Sequence, residues 1–274
     1  MPFYRDCYST WLGHIVALPP LESFPKAKAA ATKAIELDDD IADAHAILGQ
    51  IHLLSDWDFT AAEKELRRAM ELNPNSAGAH GRYAEVLAAS GRYAEAIEET
   101  NRIRQIDPVN VNSSGWTAFL YWARRYDDAI AEAREILVAN PNSYNAHLYP
   151  GLALEQKRQF SAALPELRKA VELSNNKMWI GFIAHDLGMS GDKAGARRIL
   201  RQMEQTPKHT YVSPFLPALI YPDLGEKDKA FFYLEKAYEG REHDLIFSDC
   251  WPMFDTLRDD ERFLDLMRRV GLPQ

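Results

Sequence analysis

The chain has 274 residues, 46% of them hydrophobic and 26% charged, with 40 acidic against 32 basic side chains and a net charge of −8. That balance argues against a general nucleic-acid binder, which needs a basic footprint, and no stretch approaches the roughly 18 apolar residues of a membrane span. Cys7 and Cys250 are too few and too far apart for a disulfide framework or a zinc site.

No secretory leader is visible at Met1. FYRDCYSTW reads like the middle of a helix, so the expectation is a start inside a longer protein, with a cytoplasmic location. A helix over 3–18 is expected to end at Pro19-Pro20, and its partner to start near Pro25 and run through KAKAAATKAIEL. Asp38, Asp39 and Asp40 then end that helix and offer an N-cap to the next; capping is a better reading of this acidic cluster than a cation site.

The second unit is expected at 41–54 and 59–72, joined by SDWDF, in which Trp57 is a plug between helices rather than a partner contact. The third is expected at 76–90 and 93–106. The fourth, 110–123 and 127–139, carries Trp116 and Trp122 in its first helix. The fifth, 143–157 and 160–173, has Pro150 and Pro165 inside its helices, where each removes a hydrogen bond and favours a bend. The sixth spans 177–189 and 192–204, and the linker EQTPKHTYVSP leads to the seventh, 211–223 and 227–239. After Gly240 the period stops. Residues 244–250 read as an irregular connection, followed by WPMFDTLRDDERFLDLMRRVGLP, in which Phe254, Leu257, Phe263, Leu264, Met267 and Val270 can form the apolar face of a terminal cap that ends in a helix. Asp259 or Asp260 serves as its N-cap and Gly271 lies past its end. The expected domains are a repeat array over 1–240 and, over 241–274, a connection and capping helix packed on the array.

These units are one motif repeated. Steps of 33 to 35 residues connect Ala27, Ala62, Ala96, Ala129, Ala163, Ala196 and Ala230. An aromatic stands three residues before four of them: Phe59, Tyr93, Tyr126 and Phe160. An apolar residue stands seven after each, as Ala69, Ile103 and Ile136 illustrate. The preceding helix carries a small residue at a matching place: Gly49, Ala84, Thr117, Gly151, Ala184 and Ala218. Two helices that cross closely need small contact residues, since overpacking such a crossing costs about 1–3 kcal/mol. One pair cannot bury its apolar face alone, so units must stack.

A period near 34 with AHAILGQIH at 44–52, MELNP at 70–74, GRYAEAI at 91–97 and RRYDDAIAEA at 124–133 resembles the tetratricopeptide repeat family. The likeness covers about 24–240. The ending also resembles the C-terminal arrays of bacterial multidomain regulators. The resemblance implies an all-α, right-handed α-solenoid of about seven helix-turn-helix repeats plus a C-terminal capping helix.

Motifs for chemistry are missing. No HExxH, P-loop, GxSxG or GxGxxG context occurs, and the expectation is no enzyme and no cofactor. His45, His80 and His147 recur at one place in the first helices, but neighbouring units hold such residues apart by about a helix-packing distance, ~8–10 Å, whereas a zinc–nitrogen bond is ~2 Å. Packing histidines are the better reading. Pairs such as Glu63 with Arg67, or Asp128 near Glu132, read as solvated faces.

In the family resembled, first helices line a concave groove. The stripe beside the packing positions contains Asp43, Gln50, Arg82, Glu85, Ser114, Trp122, Asn145, Tyr149, Glu155, His185 and Phe215. From these, Arg82, Glu85, Trp122, Tyr149, Glu155 and His185 are the expected partner-binding residues, with Trp122 and Tyr149 as anchors or else core. The stripe lacks the repeated Lys and Asn that clamp chaperone-tail carboxylates in that family. The expected function is a non-enzymatic scaffold for a peptide or protein segment within a larger bacterial regulatory protein. The alternative is a sensory module that binds a small molecule and regulates an absent DNA-binding, cyclase or kinase domain. An uncovered face on the first unit makes self-association a further expectation.

Overall fold

The structure, a computed structural model, describes residues 20–107, 115–174, 179–205 and 211–272. The helix expected over 3–18 lies outside them. The described residues form α-helices in antiparallel pairs, with no β-strand among them. Helix α1 is Pro20–Leu37. The pairs that follow are α2 (Ala42–Ile51) with α3 (Phe59–Leu72), α4 (Ala77–Ala89) with α5 (Tyr93–Ile106), and α6 (Gly115–Trp122) with α7 (Tyr126–Ala139). Next come α8 (Asn145–Gln156) with α9 (Phe160–Ser174), α10 (Ile180–Ser190) with α11 (Lys193–Glu204), and α12 (Phe215–Ile220) with α13 (Lys227–Glu239). Two 3-10 turns, His243–Phe247 and Pro252–Leu257, lead to α14 (Glu261–Val270). Each first helix packs on its own second helix and on the first helix of the next unit. The described residues therefore form a tetratricopeptide-type α-solenoid of stacked helix pairs.

The small residues sit where the helices cross. Ala62, Ala96, Ala129, Ala163, Ala196 and Ala230 have no exposed surface. A Cβ added at Gly49 would meet Leu66 Cγ at 2.7 Å and the carbonyl oxygen of Ala62 at 3.1 Å. One added at Gly151 would meet Leu167 Cδ2 at 2.8 Å and its backbone nitrogen at 3.2 Å. Glycine at these two places is thus a condition of helix approach. The aromatics Phe59, Tyr93 and Tyr126 are half-buried and pack against the main core. The series breaks in the first unit: Ala27 is exposed and Ala31 is the buried residue. Helix α1 there begins at Pro20 and runs through Pro25, so its register is shifted by one turn from the expectation.

Turns repeat as faithfully as crossings. The residue between paired helices takes a left-handed backbone at Trp57, Arg124 and Arg158 (φ 57°, 60° and 57°) and at Gly91, Gly191 and Gly225 (φ 74°, 98° and 77°). Consecutive members are 33 or 34 residues apart. Before Trp57 the first helix ends in a π-helical turn, His52–Asp56, which accommodates the longer SDWDF connection.

Side chains cap only some helices. Asp58, Ser76, Asp192 and Asp260 accept hydrogen bonds from the backbone N–H groups of Ala61, Ala79, Gly195 and Arg262. The expected aspartate cap on α2 does not form: its N-cap is Ile41, and Asp38 instead accepts from the backbone of Asp40. Arg68 pairs with Asp39 and Asp40, so this acidic cluster carries its own cation. Helices α8 and α9 run continuously through Pro150 and Pro165. Helix α12 is cut to six residues, with Pro214 as N-cap and Pro217 within it. On α14, Leu266 rather than Leu264 joins Phe263, Met267 and Val270 in the core, and Leu264 is 44% exposed.

The recurring histidines fasten each unit to itself. His45, His80 and His147 direct Nδ1 at Glu65, Glu99 and Glu166 of their own second helices, at 2.6, 2.5 and 2.6 Å. Their Nε2 atoms face the backbone oxygens of Asp39, Pro74 and Pro141, six residues upstream, at 2.9, 2.9 and 3.4 Å. Both contacts of each ring are acceptors. The hydrogen bond to Glu99 raises the pKa of His80 against the effect of its burial. These are clamps between helices, not a metal row.

Candidate functional site

The face built by the first helices has two halves with different fates. In its N-terminal half, α2 carries Asp43, Ile47 and Gln50 at i, i+4 and i+7, which places them on one side of the helix. Arg82 and Glu85 hold the matching places on α4. Asp43 and Ile47 are exposed, and Gln50, Arg82 and Glu85 are half-exposed. Arg82 Nε donates to Gln50 Oε1 at 2.9 Å, joining two units across the face. Burial pushes the Glu85 carboxyl up to about 8, against the pull of the Arg82 charge and a hydrogen bond with Gln50.

The C-terminal half is covered by the chain itself. Residues 241–257, a strap, turn back from α13 across the first helices of earlier units. Phe247 stacks on Trp122, with ring centroids 5.0 Å apart and planes 17° from parallel. Trp251 sits among Tyr121, Trp122 and Phe182 at 5.7–6.0 Å. Cys250 Sγ reaches the carbonyl of Ala88 at 3.4 Å, and Asp255 pairs with Arg124 at 2.8 Å. At the strap's root, Arg241 lies 4.2 Å over the ring of Trp57, which also meets Tyr238 at 5.5 Å. The last unit therefore returns to touch the second.

The strap is core, not a loose cover. Leu245, Ile246, Phe247, Trp251, Met253, Phe254 and Leu257 are all at most 5% exposed. Burying each such side chain contributes about 1.5–3 kcal/mol of gross transfer free energy.

Of the residues expected to bind a partner, Arg82 remains partly accessible, and Glu85 less so, because its Oε2 is buried. Trp122 is 6% exposed and Tyr149 2%, both beneath the strap. Glu155 and His185 are fully enclosed in a cluster of charges. His185 Nδ1 lies 3.0 Å from Glu155, and its Nε2 lies 3.0 Å from Asp223. Burial disfavours the imidazolium, but the Glu155 and Asp223 charges hold the His185 pKa up at about 9. Asp186, beside them, is pushed up to about 7 by burial and by the charge of Glu155. The cluster ties α8, α10 and the turn after α12 together through one cation. Asn145 and Phe215 of the stripe are also buried, and Ser114 lies outside the described residues.

With 244–250 taken as a connection and the segment from Trp251 as a terminal cap, neither Phe247 nor Trp251 is expected on this face. Their signal was compositional: LIFSDCWPMF is far more apolar than a solvent-exposed loop needs to be. A cavity of about 40 Å³ persists among Leu148, Tyr149, Phe182, Phe215, Asp244 and Trp251. It has room for water-sized occupants and is far smaller than the roughly 300–1,000 Å³ of ligand pockets. Among the described residues, no helix is long and apolar enough to cross a membrane.

Known proteins give the same architecture. Family profiles described as tetratricopeptide repeat match residues 53–113 and 120–177. Among solved structures, PilF of Pseudomonas aeruginosa is similar at 21% identity and a TM-score of 0.51, over 84% of this chain and 98% of that one. PilW, described as a widely conserved type IV pilus biogenesis factor, is similar at 16% identity and a TM-score of 0.54, over 83% and 98%. Human IFIT1, solved as a dimer with PPP-AAAA, gives 16% identity and a TM-score of 0.57, over 90% of this chain and 68% of that one. Identities this low speak to the fold alone. No curated protein matches the chain.

Proposed function

We propose that this chain, which belongs to the tetratricopeptide repeat family, is a non-enzymatic scaffold that docks a protein segment on the accessible strip of its second and third units. Proteins of this fold hold partners, and the repeats support a protein-interaction scaffold. One observation supports docking on this strip: the first-helix face is open at Asp43 and Ile47, partly open at Gln50, Arg82 and Glu85, and filled by the strap beyond them. Polar groups of both signs beside one exposed isoleucine suit a mixed polar and apolar segment. Trp122 and Tyr149 then act from beneath, by holding the strap in place. The cavity beneath the strap, about 40 Å³, is too small to hold more than water-sized ligands. The proposed context is a larger bacterial regulatory protein, with self-association through the exposed edge at Leu37 and Ile41 as part of the same reading.

A photo-crosslinking residue placed at Ile47 tests the strip, with Val138 as the control because it is 87% exposed on a second helix. In host extract, Ile47 is expected to capture a discrete protein that Val138 does not. Equal labelling from both positions, or none from Ile47, overturns the docking strip.

A further inference from the structure

We propose that Glu242, His243 and Asp244, at the root of the strap, form a binding site for a divalent transition metal. Each residue offers one ligand atom, and these atoms all lie within 4.8 Å of one another. His243 Nε2 and Asp244 Oδ1 are 3.4 Å apart. Two ligands each ~2.1 Å from a tetrahedral ion would be separated by roughly that distance. A second, independent observation comes from Glu242, which is 1% exposed. Its Oε2 accepts a hydrogen bond from Ser213 Oγ at 2.7 Å, while its Oε1 is buried without a hydrogen-bond partner. A carboxylate oxygen stripped of water and left unpaired is costly, and a bound cation satisfies it.

The surroundings match what such a site needs. Ser213 orients one ligand from behind, as outer-shell hydrogen bonds do around metals. The Asp244 side chain is 20% exposed, which gives an entry path, and it borders the cavity of about 40 Å³, where water can complete the coordination. One imidazole and two carboxylates favour Zn²⁺, Co²⁺ or Mn²⁺ over Ca²⁺ and Mg²⁺, which prefer all-oxygen shells. A metal here would pin the strap where it leaves α13, next to the contact of Arg241 with Trp57.

The test uses the whole chain after dialysis against EDTA. Titration with Co²⁺, followed by visible absorption, is expected to saturate at one equivalent, and Zn²⁺ should displace the bands. Asp244→Asn changes the partly exposed ligand and should weaken Co²⁺ binding at least tenfold, with unchanged helicity and melting in EDTA. His52→Ala, at a histidine on the π-helical turn, should leave binding intact. Absence of saturable binding, equal affinity in Asp244→Asn, or loss in His52→Ala instead would each overturn the site. If Asp244→Asn does not fold, Mn²⁺ broadening of amide signals in the unsubstituted chain decides: broadening centred on 241–245 supports the site, and any other centre removes it.

Discussion

Phe247 lies flat on Trp122, a residue from a different unit on the far side of three helix pairs, and the stack joins the strap to the middle of the array. Trp122 also contacts Tyr149, Trp251 and Phe119 edge-on or tilted. The arrangement makes Trp122 a keystone of folding before it is anything else. Trp122→Ala is expected to cost about 3–5 kcal/mol of stability, as large-to-small changes at buried aromatics do. Phe247→Ala should cost a similar amount. Because the two rings share one contact, the double variant should lose less than the sum, by about 0.5–3 kcal/mol. Urea denaturation of the four proteins measures this, and strict additivity would mean that the stack carries no energy of its own.

The reason the strap escaped the sequence reading is physical. The repeat could be read because crossing points need Ala or Gly at a fixed period, and six of the seven alanines lie at zero exposure as that logic requires. Periodicity says nothing about a segment that occurs once. Phe247 and Trp251 fill a surface whose shape exists only after the units have stacked, so no local pattern encodes their partners. The same limit applied to Trp122 and Tyr149, which could be placed on the first-helix face but not assigned to solvent or core. The glutamates that pair with His45, His80 and His147 recur 19 or 20 residues downstream. That spacing was present in the sequence, and pairing histidine with acid across two helices would have found the clamps.

Close approach at Gly151 gives a sharper test of the crossing rule than the alanines do. A methyl group there would press on Leu167 Cδ2 and on the Leu167 backbone nitrogen, and only the first can move. Gly151→Ala is therefore expected to destabilise by about 1–3 kcal/mol, although alanine favours a helix over glycine by about 1 kcal/mol. Gly181→Ala is the internal control. Its added methyl would meet nothing nearer than 3.7 Å, so the propensity gain should show and the melting temperature should hold or rise. If both variants behave alike, the crossing at Gly151 is not tight.

Arg158 occupies a left-handed turn that Gly91, Gly191 and Gly225 fill elsewhere. It is exposed, and its φ of 57° strains any residue with a Cβ, by about 1–2 kcal/mol for the left-handed region. Arg158→Gly removes that strain at the expense of a more flexible unfolded chain. The net expectation is a gain of roughly 0.5–1 kcal/mol. Arg124 takes the same conformation but pairs with Asp255 on the strap, so Arg124→Gly should gain less or lose. Thermal melts of the two variants, side by side, separate backbone strain from the lost ion pair.

The buried charges fix the direction of the pH response. Burial raises the carboxyls of Glu85 to about 8, Asp186 to about 7 and Asp223 to about 6. Arg82 opposes the shift at Glu85. At Asp223, His185 and Lys193 oppose it and Glu155 adds to it. His185 is held up at about 9 against its burial by Glu155 and Asp223. Every one of these groups binds its proton more tightly folded than unfolded. Their contribution is complete below the unfolded values, 3.8 for Asp, 4.5 for Glu and 6.5 for His, and is lost as pH rises through the folded ones. Stability should therefore fall steadily from pH 5 to pH 9. Glu63 and Asp260, whose carboxyls hydrogen bonds to arginine hold low against desolvation, titrate below this window and do not offset it. Glu85→Gln, which keeps the shape and cannot ionise, removes the share of the slope that lies between the unfolded 4.5 and the folded value of about 8, so the decline should flatten from pH 5 to pH 8 and persist above it through His185. Urea midpoints at pH 5, 7 and 9 supply the measurement. A midpoint that rises with pH would mean that these carboxyls are ionised and solvated in the folded chain.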